Sequence, residues 1–319
     1  MKRFLSLLFF AFLLIPLWTY SAQTTQWKSG VSLPRALYAH STVSGDGRIF
    51  VMGGFSLSER RSFADVYAFQ PLAGRWTKMP SMRTARGFAG AVYAGGKIIV
   101  IGGNDMRRTL NTVEIYDTRT GDWRFGSPMP TARRGFAIAE TGGKIYCFGG
   151  FQMESRSTLK NVEVYNIARN TWTRLPALPF ARQGAAAVAK GDKIYVIGGV
   201  IGRSDSPGGL VFLRDMNIYN VKDNSWERGS SMVFDRYYLS VVLVNDKIYA
   251  IGGIKGLRPV DVVEVISPES SSGWYNNPSM NLSTPRNALS ATVLDGVIYS
   301  VGGLDNNGDL QTVETLRVE

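Results

Sequence analysis

Six times along the chain, an apolar run of β-forming residues closes on a Gly-Gly doublet: Gly53-Gly54, Gly102-Gly103, Gly149-Gly150, Gly198-Gly199, Gly252-Gly253 and Gly302-Gly303. The spacings are 49, 47, 49, 54 and 50 residues, and a fixed period of this size restricts the fold to repeat architectures. A tryptophan lies 26 residues before five of the doublets, at Trp27, Trp76, Trp123, Trp172 and Trp226, and Trp274 lies 28 before the sixth. An arginine lies 16 before five of them, at Arg86, Arg133, Arg182, Arg236 and Arg286. Arg35 lies 18 before the first, where Gly45-Asp46 lengthens the intervening turn. A further strand follows each doublet, as in Val113-Glu114-Ile115-Tyr116 and Val162-Glu163-Val164-Tyr165. Each period therefore holds about four short strands separated by Gly, Asn, Asp or Pro, the content of one antiparallel propeller blade.

Six such units predict an all-β, six-bladed β-propeller. A blade cannot bury both of its faces alone, so it stacks on its neighbours around an axis and the ring has to close. The sixth unit ends at Thr312–Glu319 with no tryptophan after it, whereas Trp27 precedes the first unit. The segment Gln26–Ser29 is thus expected to supply the outer strand of the last blade, which removes the long open sheet edge. The doublet, the Val-Glu-x-Tyr strand and the trailing Trp resemble the kelch repeat, whose period is about 50 residues. The resemblance covers the chain beyond its first residues and implies a kelch-type propeller closed by its N-terminal strand.

The first residues read as something else. Met1-Lys2-Arg3 is basic, Phe4–Leu17 is almost wholly apolar, and Thr19-Tyr20-Ser21-Ala22 is small and polar, the pattern of a secretory signal peptide. The apolar run is shorter than the ~20 residues of a spanning helix. Residues 1–22 are therefore expected to be a signal peptide and 23–319 a single propeller domain, exported to a periplasm or the cell exterior, with no permanent membrane span. The formal charge of the chain is +11, and removing Lys2 and Arg3 leaves most of it on the propeller, which favours a negatively charged partner. One cysteine and one histidine exclude a disulfide scaffold and a Cys/His metal site, and no cofactor is expected.

A feature present in every blade reads as scaffold. The glycines permit positive φ or close backbone approach, and the indoles fill gaps between blades. The arginines are expected to pair with Glu114, Glu163, Glu264 or Glu314, or with loop carbonyls, and Cys147 to sit in the core. Function is sought where the symmetry breaks. The links from the second to the third strand of each blade vary most, and they share a face with the start of the innermost strands. They carry Arg60, Arg107, Arg156, Arg203 and Arg258 among ten cations, against six anions, and the sixth link has no cation. A positive crescent is expected over blades one to five. The fourth link is the longest and contains Ser204–Gly209, a candidate binding loop. Phe88 and Tyr238 lie two residues after a column arginine, where other blades have Gly135, Gly184 and Ala288. In kelch propellers that bind peptides, side chains at this position look into the central pocket, a role the resemblance implies for these two. The other reading is that they fill the wide end of the axial channel.

Arginine offers bidentate recognition of carboxylate or phosphate, and aromatic rings offer stacking faces. The expected activity is non-catalytic binding of a protein or an acidic glycan by a monomeric propeller, with Arg60, Arg107, Arg156, Arg203, Arg258, Phe88 and Tyr238 as ligand-binding residues. The alternative is a carbohydrate enzyme similar to the kelch-like sialic acid mutarotase, with Glu59 or Glu154 as acid-base candidates. The nearest string to a sialidase aspartate box, Ser44-Gly45-Asp46-Gly47-Arg48, has Arg48 where a glycine belongs. Lone His40 cannot supply the ligands of a copper oxidase, and it is the only imidazole available to a serine triad. Nucleic acid is discounted, since the chain reads as exported and shows neither a reading helix nor a basic tail.

Overall fold

A computed structural model describes residues 26–203 and 209–318. The expected signal peptide lies outside the described residues, as do residues 204–208 of the fourth link. Six four-stranded antiparallel sheets follow one another along the chain. Blade 1 is Ser41–Gly45, Arg48–Met52, Val66–Gln70 and Arg75–Met79, and blades 2 to 5 repeat that order. In blade 6, Ser290–Leu294, Val297–Val301 and Val313–Arg317 are completed by Lys28–Ser29, with Lys28 opposite Thr315 and Ser29 opposite Glu314. The closure expected from Trp27 is thus present. The second strands, such as Lys97–Ile101 and Lys144–Phe148, are buried along almost their whole length, as continuous Ile, Val, Tyr and Phe runs require.

The core is a set of layers between blades. Val43, Phe50 and Met52 of blade 1 pack on Ile98, Val100 and Tyr116 of blade 2, and equivalent layers follow round the ring to the junction of blades 6 and 1. Every column tryptophan adds a directed contact, because its indole N–H donates to a carbonyl of the preceding blade. Trp27 reaches Met280 at 2.7 Å, Trp76 Val31 at 3.0 Å, Trp123 Pro80 at 2.8 Å and Trp172 Ser127 at 2.8 Å. Trp226 reaches Pro176 at 3.3 Å and Trp274 Ser230 at 3.0 Å. A buried indole N–H needs such a partner.

The arginine column is buried scaffold, as expected. Arg86 meets Glu114 at 2.5 Å, Arg236 meets Glu264 at 2.6 Å, Arg286 meets Glu314 at 2.5 Å, and Arg133 pairs with Glu163. Each guanidinium also donates to the carbonyl of the first doublet glycine in its own blade, for example Arg86 to Gly102 at 3.0 Å. That glycine has φ near +60°, and a Cβ on Gly53 would lie 2.4 Å from the Arg86 carbonyl of the next blade. Only glycine fits there.

Two blades solve the charge problem differently. In blade 4, Asn217 stands where blades 2, 3, 5 and 6 have glutamate, and the carboxylate comes from Asp215, 2.8 Å from Arg182, with Asn217 donating to it. In blade 1 the column position belongs to Leu37 and not to Arg35. The Leu37 carbonyl accepts from Gly303, as the Arg86 carbonyl accepts from Gly54. Arg35 instead stacks on Phe63 at 4.1 Å and bridges to Glu59. The residue opposite Val51, where a glutamate would stand, is Tyr67. Both charges are replaced together, which avoids leaving one of them buried alone.

His40 occupies the position taken by Leu239 and Leu289 in blades 5 and 6. Its ring lies over Gly302 as those side chains lie over Gly198 and Gly252. Burial pushes its pKa down to about 4, with Arg286 adding to the fall against the pull of the Val301 and Leu37 backbone.

Two outcomes follow for stability. Between the unfolded histidine pKa of about 6.5 and the folded value, the unfolded chain binds a proton that the native state refuses, so stability falls with falling pH. His40→Leu removes this loss, and urea midpoints should show the variant gaining on the order of 2–3 kcal/mol over the wild type at about pH 4.5, compared with the difference at neutral pH. Arg133→Leu strands buried Glu163 and should cost about 3–5 kcal/mol, whereas Arg133→Leu with Glu163→Tyr, the pair found in blade 1, should cost less than the single change.

Candidate functional site

The second residue after each column position lies two residues before the innermost strand, and in all six blades it has positive φ: Ala39 54°, Phe88 51°, Gly135 57°, Gly184 62°, Tyr238 52° and Ala288 47°. In this conformation each N–H points tangentially to the neighbouring blade. Ala39 donates to Ala288, Phe88 to Ala39, Gly135 to Phe88, Gly184 to Gly135, Tyr238 to Gly184 and Ala288 to Tyr238, all between 2.7 and 2.9 Å. The six bonds form a closed ring around the axis, at the neck of a cavity of about 250 Å³. The residue just before each ring member pairs with the first residue of its blade's variable link, as Tyr38 with Phe55, Arg134 with Phe151 and Gln183 with Val200. The links therefore surround the neck on one face, as expected. Among the described residues four of them carry a short two-stranded ladder, such as Phe55–Ser56 with Arg61–Ser62 and Phe151–Gln152 with Ser157–Thr158.

Phe88 and Tyr238 start from opposite sides of the ring and meet over the axis, with centroids 5.0 Å apart. The space for Tyr238 comes from Gly184, where a Cβ would lie 2.9 Å from the tyrosine ring. Tyr238 and Phe88 are the middle of a longer aromatic track. Phe88 contacts Phe55 at 5.8 Å and Tyr38 at 6.4 Å, Tyr238 contacts Tyr237 at 5.1 Å, and Tyr237 stacks on Phe212 at 5.6 Å.

Beside this track, between blades 3, 4 and 5, is a hollow of about 470 Å³ whose lining includes Arg134, Arg156, Gln183, Arg203, Tyr237 and Tyr238. Arg134 is the best-positioned cation in it. Its guanidinium lies 5.1 Å from the Phe88 centroid and 5.2 Å from that of Phe151, and its Nε is buried without a hydrogen bond to any described residue. Its charge reaches Tyr38, whose pKa is raised by burial and Asp309 and lowered by Arg134. A guanidinium held against two rings loses little freedom when a carboxylate arrives.

Of the residues expected from sequence, the structure brings Arg156, Arg203 and Tyr238 to this hollow and places Phe88 at its edge, beneath Arg134. Arg203 donates to the Arg156 carbonyl at 3.5 Å. Arg60, Arg107 and Arg258 are exposed on the links of blades 1, 2 and 5 and do not line it. Arg134, Tyr237 and Gln183 escaped the sequence reading. They lie one residue after the column arginine, and a signal was present there, since the six blades carry Tyr38, Gly87, Arg134, Gln183, Tyr237 and Asn287 at that position. Other cations are also held on rings, as Lys255 over Phe234 at 4.1 Å and Arg61 over Phe63 at 4.7 Å.

The acid-base candidates are engaged elsewhere. Glu59 bridges Arg35 and Arg61. Glu154 accepts from the Thr109 amide and hydroxyl; partial burial raises its pKa, and these hydrogen bonds outweigh the rise, keeping it ionised at a lower pH than usual. Cys147 is enclosed in its strand, where burial pushes the thiol up to about 12. Among the described residues no three His, Cys, Asp or Glu side chains cluster as metal ligands.

Sequence comparison places these features in a known group. The chain matches the KLHDC2/KLHL20/DRC7 Kelch-repeats domain over residues 13–199 and 84–253, and a Kelch motif over residues 235–281. It is 40% identical to Kelch-like protein 40a of Danio rerio over 267 residues, which is 80% of this chain and 42% of that protein. With Kelch-like protein 35 of Mus musculus it shares 27% identity over 293 residues, 91% of this chain and 39% of that one. With Kelch-like protein 40 of Xenopus tropicalis it shares 30% over 132 residues, 41% and 21% of the two chains. The chain spans about a fifth to two fifths of the length of these relatives. With six blades, six doublets and six indole bridges in register, the chain belongs to the kelch-repeat family.

Proposed function

We propose that this propeller is an exported, non-catalytic binding module that captures an acidic segment of another protein on the face carrying its variable links. The observation that carries the reading is Arg134, fixed between Phe88 and Phe151 at the edge of a hollow whose described lining also contains Arg156 and Arg203. A carboxylate of the ligand would meet Arg134, and an adjacent apolar side chain would lie on the Phe88 and Tyr238 rings. The uneven distribution of Arg60, Arg107 and Arg258 round the rim would steer an acidic partner before contact, an effect that salt screens. A signal peptide over residues 1–22 supplies the route of export in this reading.

The test is selection from a displayed random peptide library with residues 23–319, in parallel with an array of sialylated and uronic acid glycans. Acidic peptides carrying an apolar neighbour should be enriched. Arg134→Glu should weaken them by about 100-fold and Tyr238→Ala by about tenfold, with thermal unfolding unchanged for Arg134→Glu. Enrichment of neutral or basic peptides, or equal binding by Arg134→Glu, contradicts the site, and selective retention of acidic glycans transfers it to a carbohydrate ligand. Mass spectrometry of the chain recovered from the exported fraction should find its first residue at or next to residue 23, and an intact Met1 would contradict export by cleavage.

A further inference from the structure

The junction that the chain closes with its own two ends carries a second feature. Between blades 6 and 1 the buried apolar layer is Leu33, Leu37, Val51, Phe63, Val301 and Val313, with Trp76 and Tyr299 only partly covered. Outside that layer lies a groove of about 400 Å³ walled by Phe69, Pro71, Trp76 and Tyr299. The Pro71–Ala73 turn at its edge presents Leu72 with 99% of its surface exposed, more than any other large apolar side chain among the described residues. A leucine held fully in water beside an open apolar groove is a surface made for an apolar neighbour.

The border of the groove indicates what that neighbour is. Lys28 stands opposite Thr315, which lines the groove, and Arg317 lies two residues further along the same face. Both are exposed, and neither forms an ion pair with a described residue. At the Tyr299 wall Asp295 acts more strongly than Arg317 and with opposite sign, so the two cations at the border are set against one carboxylate. Exposed leucine, apolar groove and flanking cations together match the layered chemistry of a lipid surface, with acyl chains within and anionic headgroups above.

We propose that this seam rests on an anionic membrane surface, with Leu72 inserted at the headgroup boundary and Lys28 and Arg317 on lipid phosphates. The attachment is weak and reversible, since one leucine and two cations are a modest anchor. The hollow between blades 3, 4 and 5 lies across the ring from the seam, so a docked propeller keeps it open to a partner.

Co-sedimentation of residues 23–319, which close the ring without any residue upstream of Gln26, tests this with vesicles of phosphatidylcholine alone and with about one third phosphatidylglycerol. The propeller should bind the anionic vesicles and be released by salt. Lys28→Glu and Arg317→Glu should each weaken binding by about fivefold or more, and Leu72→Asp should weaken it at least as much, all with unchanged thermal unfolding. Arg134→Glu, on the other side of the ring, should bind vesicles like the wild type, which separates this surface from the ligand site. Absence of binding to anionic vesicles at low salt, or equal binding by Leu72→Asp, overturns the proposal. So does a dimer in light scattering that Leu72→Asp dissociates, which would make the occupant a second copy.

Discussion

Six backbone N–H groups, one from each blade, donate in sequence around the propeller axis and return to the first. This ring needs positive φ at every one of its residues, and four of the six carry side chains, Ala39, Phe88, Tyr238 and Ala288. Non-glycine residues adopt this conformation at a cost of about 1–2 kcal/mol each, and the hydrogen bonds, together with the apolar layers behind them, offset it. The geometry that joins the blades also aims Phe88 and Tyr238 over the axis. Architecture and candidate site are therefore set by the same backbone feature.

The buried arginines show how strictly the interior is constrained. A guanidinium enclosed between strands is tolerable only with a carboxylate and carbonyl acceptors around it. Blades 2, 3, 5 and 6 meet that need with a strand glutamate. Blade 4 meets it with Asp215 and an asparagine, and blade 1 abandons both charges for Leu37 and Tyr67. Blade 1 also carries His40, kept neutral in the interior, and shares with blade 6 the thinnest apolar layer of the six. The least regular interior thus lies where the chain seals the ring, and the apolar groove lies just outside it.

The scaffold was legible in the sequence because every structural requirement is written six times. One doublet says little, but six at a common spacing, each with its tryptophan and strand, admit only a ring of sheets, and Trp27 without a preceding unit discloses the closure. The misplacement of Arg35 has a simple cause. Residue type suggested a column that spacing assigned to Leu37, and no pattern in one chain reveals that Tyr67 has changed with it. The site was partly legible. Phe88, Tyr238, Arg156 and Arg203 broke the symmetry visibly and came together. Arg134 did not stand out, because what distinguishes it is contact with Phe88 and Phe151, residues far from it in sequence. Arg60, Arg107 and Arg258 share its charge and lie outside the hollow.

Amide hydrogen exchange at Ala39, Phe88, Gly135, Gly184, Tyr238 and Ala288 tests the closed ring most directly. If the six bonds are one cooperative belt, these amides should exchange together, and only through global unfolding. Rapid exchange at Ala39 and Ala288, with protection kept at Gly135 and Gly184, would mean that the ring opens at its seam and that the blades stand without it.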